Sequence, residues 1–303
     1  MMYYRSAAGG VCKGLVVILV TGLLPYDSGK TFVGRSLLKY FRGVGYSVIA
    51  YKPIAAHNAW FQLETVEKSI ELGVLVGHDA YLYWKDVGGE VAIEEINPVD
   101  ILTVPMDFSI LSTNIRSYFS MLESFLSQAC IMRISCFKTN KTITKHYVNV
   151  EHVRKAVSTL RPKLIKLARK LKPQPKPVTY EQMVELTNSP EPITCADIQL
   201  ERLTRKYEVV IVESFNNAAT PTPLSVKNAD KVLVVAPGKA LIYDGRKYLE
   251  ALKILEETLG NKIAYTTVTR SIVELLKPQN YMRIHPCSKP SDKALESIEK
   301  LLK

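Results

Sequence analysis

The clearest pattern near the start of the chain is a continuous aliphatic run over residues 15–20 (Leu-Val-Val-Ile-Leu-Val), which reads as a strand buried on both faces. A loop follows. Residues 30–42 then place Phe32, Val33, Leu37, Leu38 and Phe41 at helical spacing, until Gly43 and Gly45 end the helix. A second strand is expected over 46–51. Strand, helix, strand in that order argues for parallel strands covered by helices. Apolar runs predict further strands over 208–212, 231–236 and 262–268, with a helix over about 243–259 between the last two. A strand near 281–285 and a helix over about 292–302 complete the pattern.

The middle of the chain has a different texture. Residues 115–129 read as helical, 131–137 as extended, and Thr139-Asn-Lys as a turn into a second extended piece ending near Val150. Two basic helical stretches follow, divided at Pro162, which suits a first helical turn. Val153, Val157, Leu160, Leu164, Leu167 and Leu171 recur at amphipathic spacing, so one face packs. Residues 172–177 (Lys-Pro-Gln-Pro-Lys-Pro) read as a stiff exit linker. The expected architecture is therefore α/β, a mostly parallel sheet flanked by helices. Its core spans 1–111 and 191–303, interrupted by a basic α/β insertion over 112–190.

Charge sharpens this division. The chain has 40 basic and 29 acidic residues, and thirteen of the basic ones lie between Ile131 and Pro177 against Glu151 alone. That segment carries +12 and the rest −1, which points to an anionic partner, nucleic acid or an acidic protein. Hydrophobic residues make up 47% of the chain, excluding a wholly disordered one. The longest apolar run, Gly14 to Pro25, has about a dozen residues where a membrane span needs ~20, so no membrane association and a cytoplasmic location are expected. The five cysteines are scattered and form no Cys-x-x-Cys pair, so neither a disulfide framework nor a zinc site is expected.

The candidate chemistry lies in the first loop. Gly22-Leu-Leu-Pro-Tyr-Asp-Ser-Gly-Lys-Thr31 joins the first strand to the first helix, where backbone amides and a helix N-terminus attract phosphate oxygens. Lys30 is positioned to reach β- and γ-phosphates and the Thr31 hydroxyl to meet Mg²⁺. The first glycine stands two places earlier than the strict Gly-x₄-Gly-Lys-Ser/Thr pattern requires. Lys52, at the end of the second strand, falls at the sheet edge where open α/β folds bind ligands, and there it can neutralise a phosphoryl group. Glu213 ends a buried strand, where a carboxylate needs a metal ion or a basic partner.

Four motifs in order resemble the dethiobiotin synthetase family of P-loop NTPases. They are Thr21-Gly22 with Asp27-Ser28-Gly29-Lys30-Thr31, Tyr51-Lys52-Pro53-Ile54, His78-Asp79-Ala80 with Asn97-Pro98, and the strand 209–213 ending in Glu213 with Pro221 downstream. The resemblance implies ATP and Mg²⁺ as cofactors, with Gly22, Asp27, Ser28, Gly29, Lys30, Thr31 and Thr269 binding the nucleotide. It also implies Lys30 and Lys52 as catalytic residues, Thr31, Asp79 and Glu213 as metal ligands, and a homodimer. The implied activity is an ATP-dependent ligase or phosphotransferase acting on a small anionic carboxylate or carbamate. Three departures concern the acceptor. Ser214-Phe-Asn-Asn217 replaces the family's glycine-rich loop, Ala55 and Ala56 stand where it has a serine, and Thr269 stands where it has an asparagine. An ATPase switch acting through a partner protein and a nucleic-acid-directed NTPase or kinase remain open alternatives.

Overall fold

The structure is a computed structural model that describes residues 15–111, 114–259, 267–286, 289–291 and 294–295. The strand expected over 262–268 and the helix over 292–302 lie outside the described residues, apart from 267–268 and 294–295. Cys12 and Cys287 lie outside them as well. The chain is α/β, with mixed sheets and flanking helices. In chain order the strands are β1 (Val16–Gly22), β2 (Val48–Tyr51), β3 (Ile54–Asn58), β4 (Val99–Thr103), β5 (Ala129–Lys138), β6 (Lys141–Asn149), β7 (Lys176–Val178), β8 (Val209–Glu213), β9 (Lys231–Ala236), β10 (Lys239–Asp244) and β11 (Asn280–Arg283).

Two compact units divide the chain. The first comprises Met1–Pro53, Lys85–Glu90 and Gln199–Lys303. Its sheet runs β11-β10-β9-β1-β8-β2. The four strands from β9 to β2 pair in parallel, whereas β10 and β11 are antiparallel. The apolar runs become its centre: Val17–Val20, Val209–Val212 and Val232–Val235 are buried. Helix α1 (Lys30–Gly43) packs on β1, β2 and β8 through Val33, Leu37, Leu38 and Phe41, the stripe its periodicity predicts. Strand β10 is a correction. Residues 239–244 are a short apolar run that periodicity alone does not separate from a helix start. Gly238, at φ 80°, turns the chain back onto β9, and the following helix begins only at Gly245.

The second unit comprises Ile54–Trp84 and Val91–Ile198, and its sheet runs β3-β4-β5-β6-β7. Residues 54–84 and 91–111, expected in the nucleotide-binding core, belong to this unit because β3 pairs with β4 and β4 with β5. The turn expected at Thr139 is a two-residue hairpin, with Thr139 at φ 48° and Asn140 at φ 61°. The apolar stripe through Val153, Leu160, Leu164, Leu167 and Leu171 packs with Leu75, Leu102 and Ile131. The expected exit linker is instead partly β7, a parallel edge strand on β6, the one strand type that tolerates Pro177. Cys136 on β5 and Cys195 on the helix Pro190–Lys206 form a disulfide, correcting the expectation of none. The fold brings together positions 59 apart, which spacing could not reveal. Among the described residues no helix is long and apolar enough to cross a membrane.

Candidate functional site

In the first unit the sheet register determines what converges. Val20 on β1 pairs with Glu213 on β8, and Tyr51 on β2 pairs with Val212. Lys52 therefore leaves its strand beside the carboxylate that ends the next one. Lys52 Nζ lies 2.6 Å from Glu213 Oε1 and donates also to the Ser214 carbonyl at 2.9 Å. Thr31, one residue into α1, donates its hydroxyl to the same Oε1 at 3.0 Å. The Lys52 and Glu213 side chains are 4% and 0% exposed, so this is a desolvated ion pair with a hydroxyl completing it. It also meets the plainer requirement that a buried Glu213 find a basic partner.

The loop before α1 is held from within. Ser28 Oγ donates to the Leu24 carbonyl at 2.8 Å and accepts from the Leu24 amide at 3.1 Å. Ser28, expected to bind nucleotide, thus shapes the loop. Asp27 takes φ 53° and is exposed, as are Leu24 and Tyr26. Gly22 has no room for a side chain: a Cβ there would stand 2.7 Å from Ser28 Oγ and 2.8 Å from Lys30 Nζ. Gly29 caps α1 at φ 89°, a conformation that favours glycine, and supplies no side-chain cap. The first turn of α1 contains no acid, so its uncapped amides and Lys30 present positive potential together.

Lys30 is buried, and its ammonium donates to the Asn216 carbonyl at 2.7 Å. Asn216 sits at φ 43° in the 214–217 loop. In the sequence that loop stands out only as a departure from the family it resembles. The available signal was the asparagine itself, which tolerates left-handed backbone better than most residues. Thr269 is buried at the start of the helix Thr269–Leu275, and both its amide and its hydroxyl bond the Asn217 carbonyl. The structure thus brings Gly22, Ser28, Gly29, Lys30, Thr31, Lys52 and Glu213 together, with Thr269 bracing the loop that holds Lys30. Asp79 is the second residue of the helix His78–Asp86 and belongs to the second unit. Among the described residues no three His, Cys, Asp or Glu side chains cluster to hold a metal. The donors at this site are one hydroxyl and one carboxylate.

The basic segment proves heterogeneous. Arg133 is wholly buried and donates to the Leu75 carbonyl, Ser135 Oγ and Asn97 Oδ1, so it belongs to the interior of the second unit. Beside it, His57 Nδ1 lies 3.2 Å from Asp100 Oδ1, both side chains buried. Lys145, Lys155, Arg161 and Lys163 pair with Glu191, Glu151, Asp107 and Glu67. Lys166, Arg169, Lys170, Lys172 and Lys176 are exposed and form no ion pair among the described residues.

No protein-family model matches the sequence. No curated protein matches it either.

Proposed function

We propose that the first unit is a P-loop NTPase domain that binds a nucleoside triphosphate, ATP, as its magnesium complex and transfers the terminal phosphoryl group. The acceptor is a small carboxylate or carbamate, and the protein acts as a ligase or phosphotransferase resembling dethiobiotin synthetase. One observation carries the reading: Thr31 and Lys52 meet on the buried Glu213 carboxylate beside an uncapped helix N-terminus that bears Lys30.

In this reading the first-turn amides of α1 take the phosphate oxygens, and Lys30 exchanges the Asn216 carbonyl for β- and γ-phosphate oxygens. The Thr31 hydroxyl and Glu213 carboxylate are hard oxygen donors 3.0 Å apart and fit Mg²⁺, which takes few protein ligands and keeps several waters. When bound, that ion offsets charge on the transferring group. Lys52 pairs with Glu213 and directs positive charge to the sheet edge. Thr269 and Asn217 fix the nucleotide-side loop. Transfer is a displacement: the acceptor oxygen bonds the γ-phosphorus while the bond to the β–γ bridging oxygen breaks, and its electron pair leaves with the diphosphate. The exposed basic residues of the 131–177 segment, Lys166, Arg169, Lys170, Lys172 and Lys176 together with Lys138, Lys141 and Arg154, support an anionic macromolecular partner as a second reading, a nucleic acid or an acidic protein.

Replacing Glu213 with Gln tests the metal assignment. Turnover should fall at least tenfold more than nucleotide affinity does, because the ion acts chiefly on the transferring group. An unchanged Mg²⁺ dependence of phosphate release in the folded variant would contradict the assignment.

A further inference from the structure

The helix Ile115–Glu123 has nine residues and no buried side chain. A helix this short is marginal in water on its own, and helices in proteins owe most of their stability to packing an apolar face. Its local supports are modest. Asn114 caps it by accepting from the Ser117 amide at 3.1 Å, and Tyr118 meets the Phe108 ring edge-on at 5.0 Å. Met121 turns inward, to the lining of a cleft shared with His152 and Tyr180. The outward stripe carries Ile115 and Phe119, exposed by 50% and 57%. Phe108, Ile110 and Phe125 stand exposed on the flanking segments. Scattered exposed apolar residues are ordinary, but three phenylalanines and two isoleucines within eighteen positions are the composition of a contact patch.

Charge indicates what covers it. The stripe is bounded by Arg116 at one end and Glu123 at the other, both exposed and neither in an ion pair among the described residues. They are seven positions apart, two turns, and so share one face about 10 Å apart along the axis. Such a stripe is complementary to itself turned end for end. An antiparallel second copy sets Arg116 against Glu123 of the other chain, twice, with Phe119 crossing Phe119 at the axis. A parallel copy would oppose like charges. The near absence of other charge on this stripe, in a chain otherwise rich in lysine, argues against an anionic membrane or nucleic acid as the occupant.

We infer that the face Ile115–Arg116–Phe119–Glu123 is an isologous two-fold contact through which two copies of this chain pair, helix antiparallel to helix. This goes beyond the phosphate site and does not depend on it.

The test uses the full chain in sedimentation equilibrium. Wild type should dimerise reversibly, and Phe119→Glu should weaken the dimer at least tenfold with an unchanged circular dichroism spectrum. Arg116→Glu and Glu123→Arg should each weaken it about tenfold, because each converts two attractions into two repulsions. An equimolar mixture of those two variants should recover dimers, since only the mixed pair restores opposite charges at both ends. A monomeric wild type at 100-fold above cellular-range concentration would overturn the inference. So would a dimer indifferent to Phe119→Glu, or a mixture no more dimeric than its components.

Discussion

Lys52→Met isolates the ion pair on which the site is built. In the native chain the ammonium lies 2.6 Å from Glu213 Oε1, with both side chains almost wholly desolvated. Removing one partner of a buried pair costs about 3–5 kcal/mol, because the remaining charge keeps its desolvation penalty and loses its compensation. Thr31 still donates to Glu213, and a retained hydrogen bond of that kind returns about 1 kcal/mol. The expected loss is therefore about 2–4 kcal/mol. Urea unfolding of the first unit, followed at pH 7, measures it. The double variant Lys52→Met/Glu213→Gln removes the charge left behind while keeping a group that Thr31 can bond. It should recover about half or more of the loss, a coupling of at least 1 kcal/mol. A single variant within about 0.5 kcal/mol of wild type, or additive single and double variants, would refute the claim that these two residues compensate each other inside the sheet.

Two further outcomes follow from the second unit. His146 is held neutral between the Leu75 amide and the Pro173 carbonyl, and burial, aided by Arg133, pushes its pKa down to about 4. The unfolded chain then binds the extra proton, so the stability this histidine contributes is present above its ordinary 6.5 and lost as pH falls toward 4. The loss should reach up to about 3 kcal/mol, and His146→Gln should flatten that part of the urea-midpoint profile; an unchanged profile would remove the histidine from the account. Replacing Lys166, Arg169, Lys170, Lys172 and Lys176 with Gln should leave ATP affinity intact. It should also lower affinity for an RNA oligonucleotide or an acidic peptide and reduce the salt slope of binding. Equal affinities and slopes for both polyanions would make the stretch a solvated helix face.

The strands with continuous aliphatic runs, β1, β8 and β9, were legible because burial on both faces leaves no other reading. The stripe of α1 was legible for the same reason of periodicity. Where the second unit begins was not, because β3 follows β2 after only two residues, and only pairing to β4 reveals that it has joined another sheet. At the site, Lys52, Thr31 and Glu213 could be named one by one from their places at element ends. That Lys52 and Thr31 share one carboxylate oxygen is set by the β2-β8-β1 order, which no local pattern encodes. Asn216 and the Cys136–Cys195 pair escaped for the same reason, being contacts between segments remote in sequence. Arg133 counts toward the basic segment in composition, which does not show which face of a strand a charge occupies, and the fold buries it.

Calorimetric titration of ATP–Mg²⁺ into wild type and Lys30→Ala tests the central claim most directly. The Lys30 ammonium lies against the loop, beside Gly22 and the uncapped turn of α1. Losing its charge-assisted contacts to the phosphates should cost about 1.5–3 kcal/mol, weakening binding roughly tenfold to a hundredfold. Saturable ATP binding by wild type, weakened to that extent in the folded variant, is the predicted result. Equal affinity in the two proteins, or no binding by wild type, would contradict a phosphate site in this loop.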